Sequence, residues 1–375
     1  MLRVECVTRV QDLAPLKDEW DRLVARSLAP ELYVTHEWVT LWCEHFIHNE
    51  ELFLLLVLDG ARLVGVAPLM KSARVLRGLP LRQLGFLLNG CNVRGSLLLA
   101  ADHIEPGLAA LLDYLSEVRD QWDLLSLYGM SEESGIPGAL DSLLRSGRCP
   151  LSWLPVAGWV NSVIVLDEGW ESYLSRKTVN FRRQVKRERR DLEKAGDPVF
   201  ARYASVEAVD RALEDFLSVE ARSWKVKTGV SLSARQDYQE FYRAVCQRFA
   251  TRDAWRQWEL CVDGIPVACI FGLIYEGTLY AEKTTYTTVS DGVSPGNAVI
   301  RFAIEDAFEE RVAKEIDLDQ QTAFTGRWES STKSYCHVEI FNRSPYSLAL
   351  YGLKRLLRVW RGTTGAGTSV AEQGL

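Results

Sequence analysis

The chain has 375 residues, 47% hydrophobic and 25% charged, with 44 Lys and Arg against 50 Asp and Glu, a formal net charge of −6. That length suits two ordinary domains, and the balance is that of a folded globular chain, which excludes a fibrous or wholly disordered polymer. The acid excess weighs against a protein that wraps nucleic acid, and no apolar run approaches the roughly 20 residues that cross a bilayer.

Taken in chain order, the first helical period is Leu13, Leu16, Trp20, Leu23 and Val24, and a second short helix is expected to hold Trp38, Leu41 and Trp42. A hairpin follows over 53–58 and 63–69, turned at Asp59-Gly60, because Gly takes up the positive φ of a tight turn. Strands are expected near 81–88, 96–99 and 124–128, and a helix carries Leu108, Leu111, Leu112, Leu115 and Val118. Between Arg176 and Arg190 eight basic residues meet one acid, Glu188, and the spacing of Phe181, Val185 and Leu192 predicts a helix there. Helices on Val209, Leu213, Phe216 and Leu217, and on Tyr238, Phe241, Tyr242, Val245 and Phe249, then precede a second hairpin over 258–262 and 267–274, turned at Asp263-Gly264. A strand over 279–286, a helix after Pro295-Gly296 carrying Ile300, Ile304 and Phe308, and a strand over 315–318 complete this half. Leu350, Leu353, Leu357 and Trp360 form a stripe beside Lys354, Arg355, Arg358 and Arg361, read as a helix docked on the core, with a membrane-surface helix as the other reading. Residues 362–375, rich in Gly, Thr and Ser, are expected to be a disordered tail.

Residues 56–69 lie over 260–273 without a gap at an offset of 204, with Leu, Asp, Gly and Leu identical. Two helices precede each hairpin, so the pattern implies an internal duplication and two domains rather than a solenoid. The division expected is a first domain at 1–165, a basic linker helix at 166–198, a second domain at 199–361, and the tail.

Eight scattered cysteines without a C-x-x-C pair read as small buried hydrophobes, and five histidines show no ligand spacing, so no metal site is expected. The first residues lack the apolar core of a signal peptide, so the expected location is cytoplasmic. Ser294-Pro-Gly-Asn-Ala298 stands between a strand and a helix. A helix start offers unpaired N–H groups and the positive dipole end, so Ser294, Gly296, Asn297 and Ala298 form a candidate anion site, against the plainer reading of a capped loop.

These features sit among stretches that resemble a known family. Val64-Gly-Val-Ala-Pro-Leu69, Arg77-Gly-Leu-Pro-Leu-Arg-Gln-Leu-Gly85, Asn180-Phe-Arg-Arg-Gln-Val-Lys-Arg187, Ser223-Trp-Lys225, Tyr280-Ala-Glu-Lys-Thr-Thr-Tyr286 and Ser294-Pro-Gly296 resemble the GNAT-related acetyltransferases associated with cellulose and exopolysaccharide biosynthesis. Fem-type peptidoglycan aminoacyltransferases are relatives with the same doubled architecture. The resemblance implies an α/β fold of two tandem GNAT-like domains, each a mixed, mostly antiparallel sheet flanked by helices, with the donor site in the second. It also implies transfer of an acyl group from acyl-CoA, acetyl-CoA above all, to an amine such as an amino sugar or an envelope or polysaccharide precursor. The alternatives are an aminoacyl-tRNA-dependent Fem-type enzyme and a catalytically silent scaffold in a polysaccharide synthase. The family's Asp-Leu-Gly, Tyr-Lys and aromatic are met here by Asp317-Leu-Asp319, Phe324-Thr325 and Trp328, so Thr325 stands where the family has Lys.

Aminolysis of a thioester needs a neutral amine, an oxyanion stabiliser and protonation of the leaving thiolate. Strict alternation over 279–286 puts Tyr280, Glu282, Thr284 and Tyr286 on one face. Glu282 is the candidate base, Asp319 the second, and Tyr286 the candidate acid for the thiolate; a surface carboxylate paired with Lys283 is the plainer reading of Glu282. Arg182, Arg183, Lys186, Arg187 and Lys283 are candidate ligands of an anionic acceptor, a small molecule or a lipid-linked precursor. Nucleic acid fits the acid excess poorly, tRNA belonging to the alternative. Oligomeric state is not legible.

Overall fold

In chain order the elements are β1 (Arg3–Val7), α1 (Lys17–Val24), α2 (His36–Phe46), β2 (Glu51–Asp59), β3 (Arg62–Leu76), β4 (Leu79–Phe86), β5 (Leu98–Leu99), α3 (Ile104–Glu117), β6 (Leu124–Ser131), α4 (Ile136–Arg145), β7 (Ser152–Val165), α5 (Trp170–Arg176), α6 (Val179–Ala195), β8 (Pro198–Tyr203), α7 (Val209–Ala221), α8 (Gln236–Ala250), β9 (Trp255–Val262), β10 (Ile265–Tyr275), β11 (Thr278–Tyr286), α9 (Pro295–Glu310), β12 (Glu315–Gln320), β13 (Ser331–Phe341) and α10 (Pro345–Thr364). The computed structural model describes residues 2–47, 51–90, 92–149, 151–228, 231–287 and 293–364. Of the tail expected from 362, the first three residues still belong to α10, and 365–375 lie outside the described residues.

Contacts gather the chain into two units, one of residues 1–36, 49–158 and 336 onward, the other of 37–48 and 159–335. This differs from a division at 165 and 199, for a packing reason. Trp38 of α2 meets Phe241 of α8 edge-on, ring centroids 5.3 Å apart, and Glu37 pairs with Arg252, so α2 belongs with the second unit. Ile340 of β13 lies in the core built on β2, β3 and α3, so the chain after Tyr335 belongs with the first.

The first unit orders its strands β1-β2-β3-β4-β6, with the last residues of β13 next to β6. β2 is apolar almost throughout because both faces are covered: Phe53, Leu55 and Val57 pack with Leu108, Leu111, Leu112 and Leu115 of α3. β4 and β6 pair in parallel over only three positions, Gln83↔Leu124, Leu84↔Leu125 and Gly85↔Ser126. The chain after β4 folds back on the same unit. Leu97, Leu98 and Leu99 are buried, β5 pairs with β3, and Gly95 lies so close to Phe86 that a Cβ there would fall 2.7 Å from the ring.

The second unit orders its strands β7-β12-β11-β10-β9-β8, antiparallel except for β11 with β12. Phe216 of α7 and Tyr242 of α8 cover one face at Phe271 of β10. Val299, Ala303, Ile304 and Phe308 of α9, with Phe181, Val185 and Leu192 of α6, cover the other around Ile270, Leu279 and Trp328. Each unit is thus a mixed, mostly antiparallel sheet flanked by helices. The two hairpins hold the same place in each element order but close differently. Asp263 and Gly264 both have positive φ and form the second loop, whereas in the first Asp59 still pairs with Arg62 and Gly60 begins the loop. Leu56 therefore pairs with Val66, while Leu260 pairs with Ala268.

Candidate active site at the ends of β11 and β12

β11 and β12 pair in parallel at Thr278↔Glu315, Leu279↔Ile316 and Tyr280↔Asp317, and there the ladder ends, although β11 continues to Tyr286 and β12 to Gln320. Two local features end it. On β11, Gly272 of β10 faces Ala281 and Phe271 faces Lys283, so Glu282 is an inserted residue, a β-bulge. On β12, Asp319 takes a left-handed φ of 62° and its N–H donates back to Asp317 Oδ1 at 2.8 Å, leaving the ladder. Asp317 is fully buried; it also accepts from Asn161 Nδ2 at 3.0 and 3.3 Å, and Asn161 Oδ1 takes the Trp159 indole N–H at 3.0 Å. A buried carboxylate satisfied in this way holds one geometry. It was missed in the sequence, where Asp317 stood only as part of a motif.

The bulge corrects the face alternation expected for β11. Leu279 packs in the α9 core, and after the inserted Glu282 the residues paired with that core's Ile270 and Ala268 are Thr284 and Tyr286. Lys283 pairs with Phe271 instead, and its ammonium lies 5.5 Å above the Tyr242 ring of α8. Glu282 acts on Cys246 of α8, whose thiol burial already pushes far up. Glu282 and Lys283 therefore serve the α7/α8 face, and Thr284 and Tyr286 the α9 face. Period-two reading cannot see an inserted residue.

α9 starts as expected, but not every residue assigned there is available to an anion. Pro295 fills the first helical position and has no N–H to leave unpaired. Gly296 and Asn297, next in line, lie among the first-turn positions whose N–H groups have no helical acceptor. Ala298 is buried in the core and its N–H donates to Ser294 O at 3.2 Å, so it contributes packing rather than a donor. Ser294 makes no side-chain cap bond, and the Asn297 amide is turned to Glu188 Oε1 of α6 at 3.1 Å. Gly296 is required by a close approach: a Cβ would sit 2.6 Å from Tyr286 Cδ1.

On the α7/α8 face the segment Trp224–Thr228 brings Lys225 under β11, where its ammonium donates to Thr284 O. Burial pushes that ammonium below its ordinary value; Glu220 opposes the shift and Lys283 adds to it. Glu220, itself buried, accepts from Ser231 Oγ at 3.0 Å and Ser233 N at 2.9 Å. Ser223-Trp-Lys225 was visible as a motif, but only the fold shows that it braces the strand just past the bulge.

α6 begins at Val179, capped by the Thr178 hydroxyl on Phe181 N, one turn later than the basic run itself. Arg187 is tied to Asp191 at 3.2 Å, and Arg182 donates to Ser175 O at 3.0 Å. Arg183 and Lys186 are exposed and have no ion-pair partner among the described residues; with Arg190 they fall opposite the buried Phe181, Val185 and Leu192. Thr325 shapes the turn after β12: its hydroxyl donates to Gln320 O at 3.0 Å and accepts the Thr322 N–H at 2.8 Å. Among the described residues no three His, Cys, Asp or Glu side chains gather as metal ligands.

Residues 179–320, the stretch holding α6 through β12, match the family model described as an acetyltransferase (GNAT) domain. No curated protein matches the chain. Among solved structures the chain is similar to FemX at 12% identity and a TM-score of 0.55, covering 93% of this chain and 100% of that one. It is similar to the C-terminal DUF2156 domain of a proposed lysylphosphatidylglycerol synthetase from Agrobacterium fabrum, at 10% identity and a TM-score of 0.51 over 90% and 95% of the two chains. A tandem GNAT protein from the clavulanic acid biosynthesis pathway aligns at 12% identity and a TM-score of 0.50 over 92% and 100%. At such identities the likeness is one of fold: the chain has the tandem GNAT architecture, with the acetyltransferase domain match in its second half.

Proposed function

We propose that the chain is a GNAT-type N-acyltransferase that moves an acyl group, in the simplest case acetyl, from acyl-CoA to an amine. The observation that carries this reading is the three-position ladder between β11 and β12, ending beside a helix start whose Gly296 admits no side chain. The pantetheine arm enters where the ladder stops, its amides bonding to strand groups as an added strand would. The pyrophosphate meets the Gly296 and Asn297 N–H groups and the positive end of α9. At the bulge, backbone N–H groups outside the β10 ladder stabilise the thioester oxyanion. Glu282 takes the proton of the attacking amine, the N–C bond forms, the C–S bond breaks, and the thiolate leaves with a proton from water, since Tyr286, packed at Gly296, stands at the pyrophosphate end. In the first unit the three-position ladder of β4 and β6 is followed by a chain packed on Phe86, which supports one donor site per chain.

The acceptor we assign is an anionic amine, such as a phosphorylated amino sugar or a lipid-linked polysaccharide precursor, met on the cytoplasmic side where acyl-CoA is made. Lys225 and Lys283 on the α7/α8 face of β11 support this charge, while the exposed cations of α6, a helix packed on the α9 face, are a separate candidate. The test is thermal unfolding with coenzyme A, acetyl-CoA or tRNA. Saturating coenzyme A at about 100 times Kd should stabilise the fold by about 2.7 kcal/mol. Stabilisation by tRNA alone would replace the donor, and no response to either would leave a scaffold.

Replacing Arg182, Arg183, Lys186 and Arg187 together by Gln should leave the fold intact, because Phe181, Val185 and Leu192 hold α6 and are untouched. Acceptor affinity of the wild type should fall as salt is raised, since screening acts within about 10 Å at 0.1 M, and the quadruple variant should respond more weakly. Equal salt slopes would make α6 a solvated face without a ligand.

A further inference from the structure

The first unit carries an exposed surface in which apolar side chains alternate with cations and no acid intervenes. α10 contains no Asp or Glu along its 20 residues. Its inner side is docked as expected: Leu350 packs with Leu81, Leu124, Leu154 and Phe341, Lys354 pairs with Glu339, and Arg358 donates to Pro155 O. The side chains of Trp360 and Arg361, the end of the expected stripe, lie outside the described residues. The outer side of a surface helix is ordinarily polar. Here it holds Leu348, Ala349, Gly352, Arg355 and Leu356, with Leu348 44% and Leu356 70% exposed.

The first turn of α10 stands against the β3–β4 tip, where the Tyr346 hydroxyl donates to Pro80 O. That hairpin has no acid anywhere in β3 or β4. Val75 at its tip is 72% exposed and Leu79 40%. Arg74 and Arg77 beside them, like Arg355 on α10, have no ion-pair partner among the described residues. Of the nearby acids, Asp123 pairs with Arg82 at 2.7 Å, the exposed Asp120 also acts on Arg82, and Glu339 is buried under Lys354 and Arg358.

We infer that this face rests on an anionic membrane surface, with Leu348, Leu356, Val75 and Leu79 entering the headgroup layer and Arg74, Arg77 and Arg355 meeting lipid phosphates. Charge decides the occupant. Two copies of this chain meeting through the same patch would oppose cation to cation with no acid to answer, whereas anionic headgroups complement every charge on it. Among the described residues no helix is long and apolar enough to cross a membrane, so the contact is one that lies on the surface. The inference is independent of the acyltransferase reading.

The experiment is co-sedimentation of the full chain with vesicles of phosphatidylcholine alone and of phosphatidylcholine mixed with phosphatidylglycerol. The chain should pellet with the mixed vesicles about tenfold or more better than with the neutral ones, and added salt should release it. Val75→Glu with Leu356→Glu should cut that binding about tenfold or more while leaving the melting temperature and coenzyme A binding unchanged, both positions being exposed. Should that pair unfold, Arg74→Gln with Arg77→Gln and Arg355→Gln decides, by a flattened salt dependence. Equal binding to both vesicles, binding to neither, or a dimer in solution that the double Glu variant breaks would each overturn the inference.

Discussion

Gly296→Asp should lower coenzyme A affinity about a hundredfold or more, equivalent to about 2.7 kcal/mol. Two effects add. Any Cβ at this position meets Tyr286 Cδ1 at 2.6 Å, so the ring must shift and the end of β11 with it. The new carboxylate then faces the pyrophosphate, and like charges about 4 Å apart cost about 4 kcal/mol at the effective dielectric near a protein surface. Gly296→Ala separates the two by keeping the steric effect and removing the charge. Calorimetry measures both, with one site per chain expected in the wild type and unchanged circular dichroism in the variants. Affinity within a few-fold of wild type in the Asp variant would remove the donor from α9.

Glu282→Gln should lower kcat by a factor between about 10² and 10⁴, the ordinary worth of a positioned base. The substitution keeps shape and removes the proton acceptor. Glu282 is the inserted residue of the bulge on the α7/α8 face, while Tyr286 and Gly296 meet on the other, so KM for the acyl donor should stay within a few-fold. Loss in kcat without loss in donor binding is a split that mere disturbance of the strand would not produce. Asp319→Asn is the companion measurement. Asn accepts the left-handed φ of 62° as readily as Asp, so the β12 turn survives and only the carboxylate is lost. A larger effect from Asp319→Asn than from Glu282→Gln would transfer the role of base to β12.

The order of elements in the second unit was legible because each carries its own period: Phe241, Tyr242, Val245 and Phe249 for α8, and the Asp263-Gly264 turn between apolar runs for the hairpin. The start of α9 was legible from Ser294-Pro-Gly296 because helix initiation is a local matter of φ and missing N–H acceptors. β7, which has no clean alternation, and α5, only seven residues long, were not legible. Each owes its place to partners far away in sequence, β7 to β12 and α5 to Phe308.

Periodicity and turn chemistry, which act over a few residues, determined by themselves most helices and strands of the second half, the doubled order and the loop that begins α9, while the fold class came from the family resemblance. Tertiary structure alone decided what depends on two segments meeting. The register between β10 and β11 inserted Glu282 and reversed the faces of Thr284 and Tyr286. Packing sent α2 to the second unit and the chain after Tyr335 to the first. Contact with Glu188 turned the Asn297 amide toward α6, and burial made Asp317, with Asn161, the anchor at the end of the ladder. Which residue pairs with which across a ladder is set by closure of the sheet and burial of its faces, a property of whole strands that no single stretch of sequence contains.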